Sequence, residues 1–256
     1  AVGASAGAAI TTGLGNTFVG SLAGDATDDG TLNTAVGYAA LSANCGDSNV
    51  AVGTGALEKG TASNNTAVGR AALTENTTGA DNVAVGRNSL DANTTANYNT
   101  AVGSIALSAN TTGASNTAVG YASLNLNTTA ANNTAVGYAA LNANTTGTQN
   151  VAVGYGALDA NTTASYNTAV GTNSLGATTT GEYNTAIGRT SLEANTTGGT
   201  NTALGYAALN ANTTASNNVA VGSTALAANT TGDRNTAVGT GAMDTATTGA
   251  ANTAMG

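Results

Sequence analysis

The chain repeats one phrase. "NTAVGYAALNANTTGTQ" runs from Asn133 to Gln149, and at Asn150 nearly the same letters begin again. The Asn that opens each unit recurs every 17 residues from Asn65 to Asn252. Before it, Asn33, Asn49 and Asn65 stand 16 apart, and Asn16 opens the earliest full unit. With that Asn as place 1, the pattern is N-[T/V]-A-V-G-x-x-[A/S]-L-x-x-N-T-T-[G/A]-x-x. A self-similar unit this short constrains the fold more than composition does. It is one supersecondary piece, too small to bury a core alone, so copies must stack on one another.

Place 5 is Gly in every copy from Gly3 to Gly256. Place 4 is Val apart from Ile187, Leu204 and Met255, and place 9 is Leu from Leu41 to Leu226 and then Met243. A helical repeat is a poor match, because Gly or a β-branched residue falls at nearly every turn and no 3.6-residue apolar stripe is sustained. Alternation in "NTAV" predicts a strand with places 2 and 4 on one face, directed inward, and the Ala of place 3 on the other. Gly at place 5 then turns the corner, "AL" begins a second strand and "NTTG" supplies a second turn. The expected fold is all-β, a parallel β-solenoid (β-roll) of 17-residue coils. Strands spaced about 4.8 Å apart over fifteen or so coils give a rod about 70 Å long.

This fold predicts ladders of like on like. The expected core rungs are Val36, Leu41, Val68, Leu73, Val102, Leu107, Val136, Leu141, Val170, Leu175 and Val238. Gly37, Gly103, Gly137, Gly171 and Gly205 are the expected turn glycines, at a conformation or close approach that a Cβ would obstruct. Asn of places 1 and 12, among them Asn99, Asn116, Asn133, Asn144, Asn150 and Asn161, is expected to chain side-chain amide to amide along the stack. That structural reading of the Asn rows is preferred to ligand binding.

Residues 33–256 form the regular array, and residues 1–32 are degenerate coils with Gly7 and Gly24 where Leu belongs. Within them "GDATDDGTL" carries Asp25, Asp28 and Asp29. This is a weak candidate for Ca²⁺, since it lacks the alternating Asp-x-Asp spacing and distal Glu of an EF-hand loop. The alternative is a solvated loop. The chain ends in mid-repeat at "NTAMG", an uncapped edge expected either to continue or to be covered by another subunit.

Charged residues make up 7% of the chain, against roughly 25% in typical soluble domains. With 5 Lys and Arg against 13 Asp and Glu, there is no cationic stripe to neutralise phosphates, so no nucleic-acid partner is expected. No apolar run reaches the roughly 18 residues that span a bilayer, so no membrane insertion by this segment is expected. The sole thiol, Cys45, is read as a drifted turn residue rather than a reactive group. The chain has no His and only scattered carboxylates, and its Ser and Thr lack an adjacent base, so neither an enzyme nor a cofactor is expected.

The stretch "NVAVGYGALDANTT" from Asn150 to Thr163, with its "NTAVGYAAL" siblings, resembles the head repeats of the YadA-like trimeric autotransporter adhesins. It is also similar to the "NTAVG" repeats of phage tail fibres and bacterial surface fibres. Val151, Val153 and Gly154 match the V-A-[I/V]-G motif, as do Val50, Val52 and Gly53, Val83, Val85 and Gly86, and Val219, Val221 and Gly222. The resemblance spans essentially the whole chain. It implies left-handed coils, three chains packing their inner strands about a common axis, and an extracellular location on a cell surface or virion fibre. The sequence departs from the adhesin pattern in its longer coil and in Thr at place 2 of most copies, such as Thr134 and Thr168.

The expected role is that of a structural and adhesive fibre protein, a homotrimer bearing the shaft or head of a fibre, with a cell-surface or glycan receptor as candidate partner. A second structural reading is a filament assembled end to end by coil stacking. The rival from another class is an ice-binding solenoid, since Thr recurs at places 2, 13 and 14. It is disfavoured because places 13 and 14 are adjacent and place 2 is expected to point inward. "NTT" is also an N-glycosylation sequon, which makes Asn76, Asn110, Asn144, Asn195 and Asn229 candidate glycan sites. Tyr38, Tyr121, Tyr138, Tyr155 and Tyr206 at place 6 form an interrupted aromatic row, to be weighed between sugar stacking and plain turn packing.

Overall fold

A computed structural model describes the whole chain, Ala1–Gly256. It is an all-β parallel solenoid without a helix, each coil contributing one three-residue strand. The chain divides into two compact units, Ala1–Ala131 and Asn132–Gly256. The first holds β1 (Thr17–Val19), β2 (Thr34–Val36), β3 (Val50–Val52), β4 (Thr66–Val68), β5 (Val83–Val85), β6 (Thr100–Val102) and β7 (Thr117–Val119). The second holds β8 (Thr134–Val136), β9 (Val151–Val153), β10 (Thr168–Val170), β11 (Thr185–Ile187), β12 (Thr202–Leu204), β13 (Val219–Val221), β14 (Thr236–Val238) and β15 (Thr253–Met255). Within each unit, successive strands pair in parallel with like on like, as in Ala84 beside Ala101 and Ala152 beside Ala169.

The strand is short because the rest of the coil is not β. Every Leu of place 9 sits at φ between +50° and +55°, and place 7 also has positive φ, as at Ala71 (54°) and Asn173 (54°). The second strand expected from "AL" is therefore absent. Left-handed backbone lets the chain curl tightly while its amides still point along the stack. Leu73 N–H donates to Ser89 O at 3.0 Å and Thr77 N–H to Thr94 O at 2.8 Å, both reaching the next coil. A left-handed conformation costs an L-residue about 1–2 kcal/mol. Full burial of Leu returns about 1.5–3 kcal/mol, so packing outweighs local preference and Leu keeps a place that conformation alone would give to Gly.

The core differs from the expected one in a single respect. Leu41, Leu73, Leu107, Leu141 and Leu175 are fully buried, as expected, but they face the Ala of place 3 and the Ala or Ser of place 8, which are fully buried too. Val36, Val68, Val102, Val136, Val170 and Val238 lie on the outer face of their strands, half-exposed; Val36 is 37% and Val238 38% exposed. Alternation was read correctly, but the inner and outer faces were exchanged. The physical reason is width. A coil this narrow has room for one large side chain, supplied by Leu from the turn segment, and the strand opposite can offer only Ala.

Gly at place 5 has φ between +129° and +140° in every coil. A Cβ on Gly137 would collide with the carbonyl oxygen of Gly154 in the next coil, and one on Gly103 with that of Gly120. Gly37, Gly171 and Gly205 are held in the same way.

Candidate functional site

Two rows of side chains leave the solenoid on its strand face, Thr or Val from place 2 and Val, Ile or Leu from place 4. Place 2 points outward, against expectation, because it shares a strand face with place 4 and the buried Ala of place 3 lies between them. Val83, Val151 and Val219 of place 2 are 36–37% exposed, and Ile187 and Leu204 of place 4 are 39% and 44% exposed. The place 2 threonines make no side-chain hydrogen bond within the chain. By contrast, the hydroxyls of place 13 are committed, Thr94 to Thr111 O at 3.1 Å and Thr145 to Thr162 O at 2.9 Å. In each unit the result is a regular, uncharged strip two side chains wide, with rungs about 4.8 Å apart.

Both Asn rows are buried. At place 1 the amide oxygen accepts from the backbone N–H of the next Asn, as Asn99 N to Asn82 Oδ1 at 2.9 Å and Asn150 N to Asn133 Oδ1 at 2.9 Å. Its nitrogen closes the coil onto place 15, as Asn116 Nδ2 to Ala130 O at 2.9 Å. This row thus runs mainly from side chain to backbone, where amide-to-amide bonds were expected. Place 12 carries the true amide ladder, with Asn110 Nδ2 to Asn93 Oδ1 at 3.0 Å and Asn161 Nδ2 to Asn144 Oδ1 at 2.8 Å. Where place 12 changes to Thr178 and Ala246, the preceding Asn161 and Asn229 keep a buried Oδ1 without a partner.

The candidate glycan sites fall on this ladder. Asn76, Asn110, Asn144, Asn195 and Asn229 are 0% exposed, and their amide nitrogens donate inward, as Asn76 does to Gly79 O at 2.8 Å. A glycan there is incompatible with the folded coil, so these positions are corrected to structural ones.

The remaining residues singled out in the sequence do not gather into one site. Asp28 accepts from Thr11 Oγ1, Asp29 is exposed, and Asp25 joins Tyr38, Ser42 and Glu58 around a depression of about 260 Å³. No group of three His, Cys, Asp or Glu side chains converges anywhere in the chain. Cys45 is buried with its Sγ 3.2 Å from Thr27 Oγ1, and burial pushes its thiol pKa up, so the thiol stays protonated and unreactive at neutral pH. Asp159 at place 10 is also raised, chiefly by desolvation.

The tyrosines of place 6 are exposed, but Tyr138 and Tyr155 stack on each other, with centroids 5.2 Å apart and planes 8° from parallel. Each covers one face of the other, so stacking within the row takes up part of the aromatic surface that a sugar would need. Sequence reasoning missed Phe18. It occupies place 3 and is 1% exposed, with Gly7 and Gly24 against its ring. The signal was present, since the one Phe of the chain stands where the only two coils with Gly at place 9 adjoin.

These features define a β-solenoid repeat protein whose accessible face is a plain Thr/Val strip. Compared with known proteins, the chain matches no family model, no curated protein and no solved structure.

Proposed function

We propose that this chain is a structural and adhesive extracellular fibre protein, in which left-handed coils build the fibre and three copies pack their strand faces together about one axis. The observation that carries the reading is the outward row of Val, Ile and Leu at place 4, lined by Thr and Val of place 2. A continuous apolar strip of this kind marks an interaction surface. Parallel strands offer a regular, repeating surface that a second copy in the same register complements without any charged pair. The resemblance to fibre and adhesin repeats supports the same arrangement, and a cell-surface or glycan receptor is the partner such a fibre would present itself to. Native mass spectrometry together with light scattering tests the assembly. A trimer is the expected result, and a monodisperse monomer across concentrations overturns it.

One observation favours a second reading, ice binding. Thr of place 2 faces outward with its hydroxyl uncommitted, and it repeats in register with Val of place 4. A flat file of methyl and hydroxyl groups on a rigid sheet can order water at the sheet spacing. Thermal hysteresis of a monomeric sample would establish this reading, and its absence would remove it.

A further inference from the structure

We propose that Tyr138 with Tyr155, and Tyr166 with Tyr183, are sites of oxidative coupling to dityrosine, each joining one coil of the second unit covalently to the next. This does not depend on the fibre reading. Tyr138 and Tyr155 occupy place 6 of adjacent coils, with ring centroids 5.2 Å apart. Tyr166 and Tyr183 occupy place 17, with centroids 4.9 Å apart and planes 3° from parallel. The place 17 pair shares one backbone conformation, φ 62° and 59°, so both side chains leave the chain in the same direction. All four rings are exposed, between 46% and 58%, and project from turns rather than from the packed strand. A soluble oxidant can therefore reach them.

The chemistry balances with hydrogen peroxide as oxidant and a peroxidase as catalyst. Each phenol loses one electron and one proton, giving two phenoxyl radicals held face to face. A carbon–carbon bond forms between ring carbons ortho to the hydroxyls, and the ortho hydrogens return to the oxygens as the rings become aromatic again. Hydrogen peroxide takes up the two electrons and two protons and leaves as two waters. The chain therefore loses two hydrogen atoms for each link. There is no Trp and Cys45 is buried, so the competitor for the first radical pair is Tyr121, at place 6 of the repeat before Tyr138; Tyr121→Phe removes it and is expected to leave both links in place. Oxidation of Met243 or Met255 adds oxygen and is distinguished by mass.

The fold supplies internal comparisons. Tyr38 lies between Ser21 and Thr54 in its row, Tyr98 between Asp81 and Ser115, and Tyr206 between Arg189 and Ser223. None of these three has a tyrosine on an adjacent coil. The experiment treats the folded chain, at low concentration, with peroxidase and hydrogen peroxide, and reads dityrosine fluorescence, intact mass under denaturing conditions and cross-linked peptides. The expected product is a single chain lacking two hydrogens per link, with peptides joining Tyr138 to Tyr155 and Tyr166 to Tyr183. Tyr155→Phe removes the first link and leaves the second; Tyr183→Phe does the reverse. Urea-unfolded chain loses the selectivity. Links that involve Tyr38, Tyr98 or Tyr206 as often as the paired residues, links formed only between chains, or no link at all would each overturn the proposal.

Discussion

The coil that carries Phe18 and the coils of the second unit solve one packing problem in opposite ways. In the second unit a strand Ala, such as Ala152, is met by Leu141 and Leu158 from the turn segments, all fully buried. At Phe18 the large side chain comes from the strand, and Gly7 and Gly24 take the places of Leu. A Cβ on Gly24 would stand 2.6 Å from the Phe18 ring, so the exchange is complete. What is fixed is the volume inside the coil. The letter that supplies it can change sides.

The largest departure from this tolerance is expected at the turn glycine, which both regions share. Gly137→Ala places a Cβ against the Gly154 carbonyl at φ +137°, a conformation with no room for a methyl. Strain and overpacking together are expected to cost about 4 kcal/mol or more, read as a collapse of the urea midpoint. An unchanged midpoint would mean that the coil-to-coil spacing is softer than the geometry implies.

Next in size is the exchange itself. Phe18→Ala should destabilise the first unit by about 3–5 kcal/mol, because Gly7 and Gly24 cannot close the cavity. The reciprocal test rebuilds that coil in the second unit. Ala152→Phe alone should unfold it, and adding Leu141→Gly and Leu158→Gly should restore cooperative unfolding. If the triple variant is no better than the single one, volume is not the rule.

The same contrast explains what could be read from the sequence. The period, the parallel stacking, the turn glycines and the structural Asn rows were all legible, because each rests on one letter recurring at one place. The facing of the strand was not. Val at place 4 and Leu at place 9 are equally apolar, and only the narrow bore of the coil, a property of the closed backbone, decides that Leu goes in and Val goes out. The positive φ at Leu was hidden too, since local preference argues against it and burial overrules it. The sequon misled for a related reason, as its Asn is chosen by the ladder inside the coil.

Polar rows follow a stricter rule than the apolar core, and breaks in them leave a trace. Thr178 interrupts the place 12 ladder, leaving Asn161 Oδ1 buried and unpartnered while Asn195 Nδ2 reaches Thr178 Oγ1 at only 3.4 Å. Thr178→Asn supplies a donor to the first and an acceptor to the second. The expected gain is about 1–2 kcal/mol, read as a higher urea midpoint. A loss would show that the Thr178 hydroxyl bond to Asn195 O, at 3.1 Å, is worth more than the ladder it breaks.

The smallest effect on the fold is expected on the outer face, where neither region has a packing demand to meet. Val153→Asp puts a charge on a half-exposed strand position whose neighbours along the row are Val136 and Val170. Lost β-preference costs the single chain about 1 kcal/mol or less, so its urea midpoint should barely move. Assembly should respond differently. In the proposed three-chain core the same carboxylate would meet its copies in a place without water, and burying it unpaired costs several kcal/mol. A variant that folds like the parent but elutes as a monomer separates the two roles of the strand, Ala for the coil and Val for the partner. A variant that assembles as the parent does would place any contact between chains on another face.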